Sequence, residues 1–325
     1  MATTPDETVS ETHRIPGLAF TKGHGTENDF VLVPDPDGEI TLTAERVAAL
    51  CDRRAGIGGD GLIRVVRSSA CGDPSGVEAV AADPSAQWFM DYRNADGSAA
   101  EMCGNGVRVF AAYLLREGLV DEALLAPDAP GLAVASRGGV KRVHRRVDGW
   151  LSVEMGGWTV VGGDKAVTDG YDVLVDVSGL DVSRPALTLD LGNPHTVVML
   201  AERDELDAAD LTTAPRLDPA PRQGTNVELL ATLDPEHGPA GPVGRLAMRV
   251  HERGVGETRS CGTGACAAAL AARIWGGPGS PDHWRVDVPG GQVEVQVLAG
   301  GTGGSGERVE LSGPAVLVAD GTTGL

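Results

Sequence analysis

The sequence predicts an α+β protein built from two similar domains. Three observations lead there. The chain has 325 residues, more than one ordinary core holds. Its 46 glycines and 20 prolines favour many turns and short elements over long helical bundles. One stretch of pattern also occurs twice. Hydrophobic content is 42 % but aromatic content only 4 %, so the core must be made mainly of Val, Ala and Leu.

The elements follow in order. Residues 1–14 read as a disordered leader. "LAFTKGHGTENDFVLV" reads as strand, Gly-rich turn, strand. Residues 41–54 have a Thr start, helix formers and a basic end, which suit a short helix. "GIGGDGLIRVVR" is a Gly-rich loop feeding a strand. Residues 68–87 read as a loop or insertion without chemistry. "WFMDYRNADGS" is a strand entering a turn, and "CGNGVRVFAAYLLREGL" a Gly-led helix closed by Gly118. In the second half "LTLDLGNPHTVVML" is strand, turn, strand, and "GTNVELLATL" another strand. "GRLAMRVHERGVGETRS" is a strand entering a turn, and "CGTGACAAALAARIWGG" a second Gly-led helix. Two terminal stretches, "WRVDVPGGQVEVQVL" and "ERVELSGPAVLVADG", read as strands. Residues 234–244 and 300–306 read as loops.

The repeat is exact at its centre. The shift that carries Cys103 to Cys261 also carries Gly104 to Gly262, Gly106 to Gly264 and Asn94 to Glu252. Duplication of one domain explains it. The expected boundaries are 15–153 for the domain carrying Cys103 and 154–312 for the domain carrying Cys261. A terminal strand in 313–325 is expected to return to the first domain.

A Cys-Gly-x-Gly helix start has a definite chemistry. A helix N-terminus carries unpaired N–H groups and partial positive charge, which stabilise a thiolate and can lower its pKa. The glycines admit a ligand close to the backbone, and the same N–H groups hold a carboxylate. Two such starts facing across a cleft would let one thiolate take an α-proton and the opposite thiol return one to the other face. That inverts a stereocentre without any cofactor. The site must also stabilise the carbanion and exclude water.

Composition removes other classes. A net charge of −19 argues against nucleic-acid phosphates and anionic membranes as partners. No apolar run reaches the roughly 18 residues of a membrane helix, and the acidic start lacks a secretory pattern, so a cytoplasmic protein is expected. The five cysteines form no CxxC pair, so neither a disulfide framework nor a metal site is expected. Cys51, Cys71 and Cys266 read as packed core residues.

The blocks "HGTENDF", "YRNADGSAAEMCGNGVR", "GNPH", "GTNVE" and "HERGVGETRSCGTGACAAA" resemble the diaminopimelate epimerase family, in order along most of the chain. The resemblance implies interconversion of LL- and meso-diaminopimelate on the route to lysine and peptidoglycan precursors. It implies two domains, each wrapping sheet around a central helix with the active site between them, and a homodimer. It makes Cys103 and Cys261 the acid/base pair, supported by His195 and Glu252. Asn28, Asn94, Asn193 and Asn226 match substrate-binding asparagines. Gly104, Asn105, Gly262 and Thr263 match the groups that take the α-carboxylate. Glu252 and Arg253 match the pair at the reacting or distal end of the substrate. Read alone, Asn28 and Asn94 are turn residues, because Asn beside Gly or Asp favours turns. One position departs from the pattern: some relatives carry a substrate-touching Gln where this chain has Gly61.

The alternatives are another racemase of the same fold, acting on proline or histidine, a phenazine-pathway isomerase, and an inactive binding or thiol-redox protein. The presence of both cysteines weighs against the phenazine-pathway isomerase and the inactive binding protein, whereas a thiol-redox protein would use the same pair.

Overall fold

A computed structural model describes residues 17–126, 128–239, 241–300 and 306–324. The leader expected at 1–14 and residues 301–305 of the glycine run lie outside the described residues. The N-terminal half opens with a hairpin, β1 (Leu18–Gly25) against β2 (Asn28–Pro34). Thr26 and Glu27 at its tip have φ of 50° and 61°. Those left-handed values fit a two-residue hairpin turn but strain a β-branched residue. The other half holds them in place. Thr26 Oγ1 shares a 2.6 Å hydrogen bond with Ser260 Oγ, and Arg259 Nε donates to Glu27 at 2.7 Å.

Next come α1 (Ala44–Cys51), capped by the Thr43 hydroxyl, and β3 (Gly61–Arg67), parallel to β2. The stretch expected as a loop at 68–87 instead contains α2 (Pro74–Ala82). Asp73 caps it and Pro74 occupies its first turn, a helix-start pair that also reads as a turn in sequence. β4 (Trp88–Asn94) runs antiparallel to β3, and α3 (Gly104–Arg116) crosses to β5 (Leu132–Ser136), parallel to β4. β6 (Gly139–Arg145) and β7 (Leu151–Gly156) follow antiparallel. β8 (Thr159–Val160), α4 (Gly163–Asp169) and β9 (Val173–Asp176) lead into the second half.

That half repeats the order. β10 (Arg184–Asp190) pairs with β11 (Pro194–Leu200). After α5 (Arg203–Ala208) and β12 (Arg216–Asp218), β13 (Asn226–Gly238) lies parallel to β11. β14 (Gly241–Glu252) runs antiparallel to β13. Both strands continue through the stretch expected as a loop at 234–244, with a register irregularity between Leu233 and Glu236. The Pro, Gly and Asp residues there punctuate an exposed hairpin end rather than ending the strands. β15 (Gly256–Thr258) and α6 (Gly262–Gly276) follow, then β16 (His283–Val288), parallel to β14, β17 (Gly291–Ala299), β18 (Glu307–Gly313) and β19 (Val316–Thr323).

Two exchanges bind the halves. β8, just past β7, pairs with β10 of the second half, and β19 pairs with β1, so the last strand of the chain returns to its first. β7 and β18 also pair, joining everything into one mixed sheet. α3 and α6 are surrounded by it. Val107, Val109, Phe110 and Leu114 of α3 are fully buried, as is the alanine run of α6 from Ala265 to Ala271. A helix apolar on all sides belongs inside, and alanines let strands approach it closely. Among the described residues no helix is long and apolar enough to cross a membrane.

A charged cluster adds to the junction. The carboxylate of Glu294 on β17 accepts from Arg146, in the β6–β7 turn, and from Arg285 and His283 on β16. These donors hold it at about 2. Its contribution is therefore present above the ordinary carboxylate range and is lost as pH falls toward 2. Glu294→Gln should cost about 1–3 kcal/mol at neutral pH and flatten the acid limb of the stability curve between about pH 4.5 and 2. Denaturant titrations at pH 7 and pH 3 check both; an unchanged acid limb contradicts it.

Candidate active site

The two cysteines cap the two central helices. Cys103 accepts from the N–H of Gly106 at 3.4 Å, and Cys261 from the N–H of Gly264 at 3.4 Å. A small residue with extended backbone at the N-cap, followed by glycines, is what lets the sulfur sit over the first turn. The two starts abut. A Cβ on Gly262 would lie 3.4 Å from Asn105 Oδ1 and 2.7 Å from Leu311, and one on Gly104 would lie 2.8 Å from the same leucine. Glycine is needed at both positions for this approach.

Asn105 joins the sides. Its Nδ2 donates to Asn28 Oδ1 at 3.2 Å, and to the carbonyl and hydroxyl of Ser260 at 3.3 Å each. Ser260 directly precedes Cys261, so one amide spans both thiol sites. The Cys103 thiol points at Asn28 Oδ1, 3.5 Å away, while Asn28 Nδ2 donates to Asp60 at 2.8 Å. Arg108 donates to Asn105 Oδ1 at 2.8 Å from one turn further along α3.

The Cys261 side is built differently. Its sulfur lies 3.5 Å from the Thr263 hydroxyl. His195 and Glu228 are both fully buried, with Nδ1 of the histidine 2.7 Å from the carboxylate. Nε2 lies 3.1 Å from the side-chain amide of Asn193. Glu228 presses on the first turn of α6, where a Cβ on Gly264 would lie 2.6 Å from Oε1; its Oε2 has no hydrogen-bond partner among the described residues.

The remaining candidates lie at the strand ends. Asn226 accepts from the backbone N–H of Arg253 at 2.9 Å, and the exposed Arg253 guanidinium donates to Gln223 O at 2.8 Å. Glu252 is half-buried and accepts from the Thr258 hydroxyl. Asn94 ends β4, and its side chain donates to Ser98 Oγ at 3.0 Å within the turn. Gly61 sits across the strand pair from Asn94. A Cβ there would come 2.5 Å from Arg93 O and 2.6 Å from the Tyr92 ring, so this backbone leaves no room for a longer side chain. Among the described residues no group of three or more His, Cys, Asp or Glu converges as metal ligands would.

One expectation fails. The helix starts do not bring the thiols down. Burial pushes Cys103 up to about 11, with Glu252 adding to it and the N–H groups of Gly106 and Asn105 opposing. Cys261 is pushed well above its ordinary value, again by burial first, then by Glu252 and Glu228. Desolvation of a thiolate outweighs one or two N–H donors. Burial likewise raises Cys51 to about 11 and Cys266 to about 12. The folded state thus keeps protons that the unfolded chain releases. Their stabilisation is complete below the ordinary thiol value of 9.0 and is lost as pH climbs toward 11. The urea midpoint of the reduced protein should fall between pH 8 and pH 10.5; a constant midpoint contradicts this.

Sequence reasoning did not single out Arg108, Ser260 or Glu228. Arg108 and Glu228 carried a signal, since each is a charge inside an apolar run, "VRVFAA" and "NVELLA". Ser260 carried none.

The family model for diaminopimelate epimerase matches residues 20–161 and 187–318. The chain belongs to the diaminopimelate epimerase family. The family's enzyme in Streptomyces coelicolor is 48 % identical over 311 residues, covering 94 % of each chain. That of Thermobifida fusca is 46 % identical, over 94 % of this chain and 97 % of its own. That of Corynebacterium glutamicum (strain ATCC 13032) is 41 % identical, over 93 % and 96 %. Solved structures share the fold at low identity. A PhzF-family phenazine biosynthesis protein of Bacillus anthracis superposes with a TM-score of 0.62 at 15 % identity, over 95 % of this chain and 99 % of its own. A probable proline racemase of Agrobacterium radiobacter superposes at 0.59 and 14 %, over 95 % and 93 %.

Proposed function

We propose that the chain interconverts LL- and meso-2,6-diaminopimelate by moving a proton between Cys103 and Cys261. The observation that carries the proposal is the pair of cysteine-capped helix starts, brought together by Asn105 and Ser260. As a thiolate, one cysteine takes the α-proton from one face and becomes a thiol. The other, as a thiol, gives its proton to the opposite face of the carbanion and becomes the thiolate. The product is the inverted centre, and the protein is left with its thiol and thiolate exchanged. Backbone N–H groups at Gly104, Asn105, Gly262 and Thr263, at the two helix starts, would take the α-carboxylate, whose charge the two helix dipoles favour. Asn28, Asn94, Asn193, Asn226 and Arg253 supply the donors and acceptors that two amino-acid heads need. His195 and Glu252 flank the thiols as supporting acid/base groups. Since burial favours the neutral thiols, the α-ammonium of the bound substrate is the cation that would favour a thiolate on entry.

The reading also assigns domains to residues 15–153 and 154–312, with 313–325 returning to the first. It places the chain in the cytoplasm as a homodimer, supplying lysine and peptidoglycan precursors. Purified, reduced protein should bring LL-diaminopimelate to equilibrium with the meso form on chiral chromatography. It should leave L-proline and L-histidine unchanged. Racemisation of proline or histidine, with diaminopimelate untouched, overturns the substrate assignment.

A further inference from the structure

Arg108 is 0 % exposed, yet its only acceptors among the described residues are neutral: Asn105 Oδ1 at 2.8 Å and Gly104 O at 3.4 Å. Its Nε has no hydrogen-bond partner among the described residues. Among the described residues the charges that act on the guanidinium are those of two cysteines, Cys103 and Cys266. Two glycines make its space: a Cβ on Gly25 would lie 3.1 Å from Nη2, and one on Gly313 3.0 Å. Burying a lone cation costs several kcal/mol unless an anion forms beside it.

The repeat gives the comparison. The shift from Cys103 to Cys261 carries Arg108 onto Cys266, a fully buried neutral thiol. Strand pairing makes the opposite contrast on the other layer. His195 pairs with Asn226 across β11 and β13 as Phe30 pairs with Gly61 across β2 and β3. Glu228 of β13 therefore stands where Ile63 of β3 stands. Contacts agree with the register: a Cβ on Gly106 would meet Ile63 and Phe30, and one on Gly264 would meet Glu228. So a cation lies beneath the Cys103 helix start, where the other half is neutral. A carboxylate lies beneath the Cys261 start, where the other half is apolar.

We propose that Arg108 is a positioning residue that makes Cys103 the more readily ionised of the two thiols in the empty site. The proposal rests on the two-thiol reading above and adds the direction in which the empty site is poised. Other charges do not blur the contrast. Glu252, from β14, disfavours both thiolates; Glu228, from β13, disfavours that of Cys261. Tyr92, from β4, faces Cys103, and Asp60 acts on Tyr92 and Glu252. Arg108 favours the Cys103 thiolate alone of the two. It also fixes the Asn105 amide: by donating to Oδ1 it directs Nδ2 toward Asn28 and Ser260.

The test is the pH profile of iodoacetamide alkylation in the substrate-free protein, read separately at each cysteine by peptide mass. The midpoint reports the ionisation of each sulfur, whereas the absolute rate also depends on how easily the reagent reaches it. In the wild type the Cys103 midpoint should lie below that of Cys261. In Arg108→Met the Cys103 rate at pH 8 should fall about tenfold, a rise of about one unit in its midpoint, with Cys261 unmoved. Arg108→Lys, which keeps the charge, should recover most of the loss. A folded Arg108→Met protein with an unmoved Cys103 profile, or with both profiles moved equally, overturns the proposal. If Arg108→Met does not fold, the wild-type order decides, and a lower midpoint at Cys261 overturns it. No substrate is used, so failure to turn over diaminopimelate would count against the proposed function and not against this assignment.

Discussion

Cys103→Ala and Cys261→Ala each lower epimerisation of diaminopimelate by on the order of 10²–10⁴-fold or more, the range lost with an acid/base group in direct contact with the reacting atom. The two losses should not multiply in the double variant, because inversion needs both faces at once. Each thiol has an equivalent seat, capping a central helix and accepting from the third residue of the turn. The fold should tolerate either change, since neither sulfur makes a disulfide. The informative remainder is exchange. A protein with one working thiol can remove the α-proton and return a solvent deuteron to the same face, labelling the substrate without inverting it. Chiral chromatography with mass detection separates the two events. Near wild-type epimerisation by either variant would mean that the missing cysteine is not a base.

Asn105→Ala should be the most damaging single change outside the cysteines. The side chain is fully buried and makes four hydrogen bonds, to Asn28, to two atoms of Ser260 and from Arg108. Alanine removes the only side-chain acceptor that the buried guanidinium has among the described residues, a loss of about 3 kcal/mol. It also frees Asn28 beside Cys103 and Ser260 beside Cys261, so the turnover of whatever folded protein remains should fall as well. Its repeat counterpart is the control. Thr263 is half-buried, and its hydroxyl lies 3.5 Å from Cys261 Sγ. Thr263→Ala should cost less than about 1 kcal/mol. Thermal melts of both variants check the contrast; equal losses would mean that Asn105 is not the hub.

What the residues made legible was local. A cysteine ahead of glycines and an apolar run is a helix start whatever surrounds it, so Cys103, Cys261 and their glycines could be read directly. So could the duplication, because both copies keep the spacing. What stayed hidden depends on contacts between distant segments. Nothing near Ser260 announces that it meets Thr26 and Asn105. Arg108 and Glu228 show in the sequence as charges inside apolar runs, but that Cys266 and Ile63 occupy their places in the other half emerges only from the fold. The direction of the thiol shift was misjudged for the same reason: the helix dipole is visible in sequence, whereas the burial that outweighs it is not. α2 and the far ends of β13 and β14 were missed because Asp-Pro and Pro-Glu-His-Gly stretches are ambiguous until something packs on them.

The central claim is that two thiols handle two faces of one carbon, and the most direct measurement is a single turnover in deuterated water. Reduced protein is given LL-diaminopimelate with no cofactor or metal added, and the first meso product is isolated before the back reaction. The account predicts one deuterium, at the inverted α-carbon, with residual LL substrate initially unlabelled. A single group serving both faces would return the original proton, so meso product without deuterium in the first turnover would contradict it.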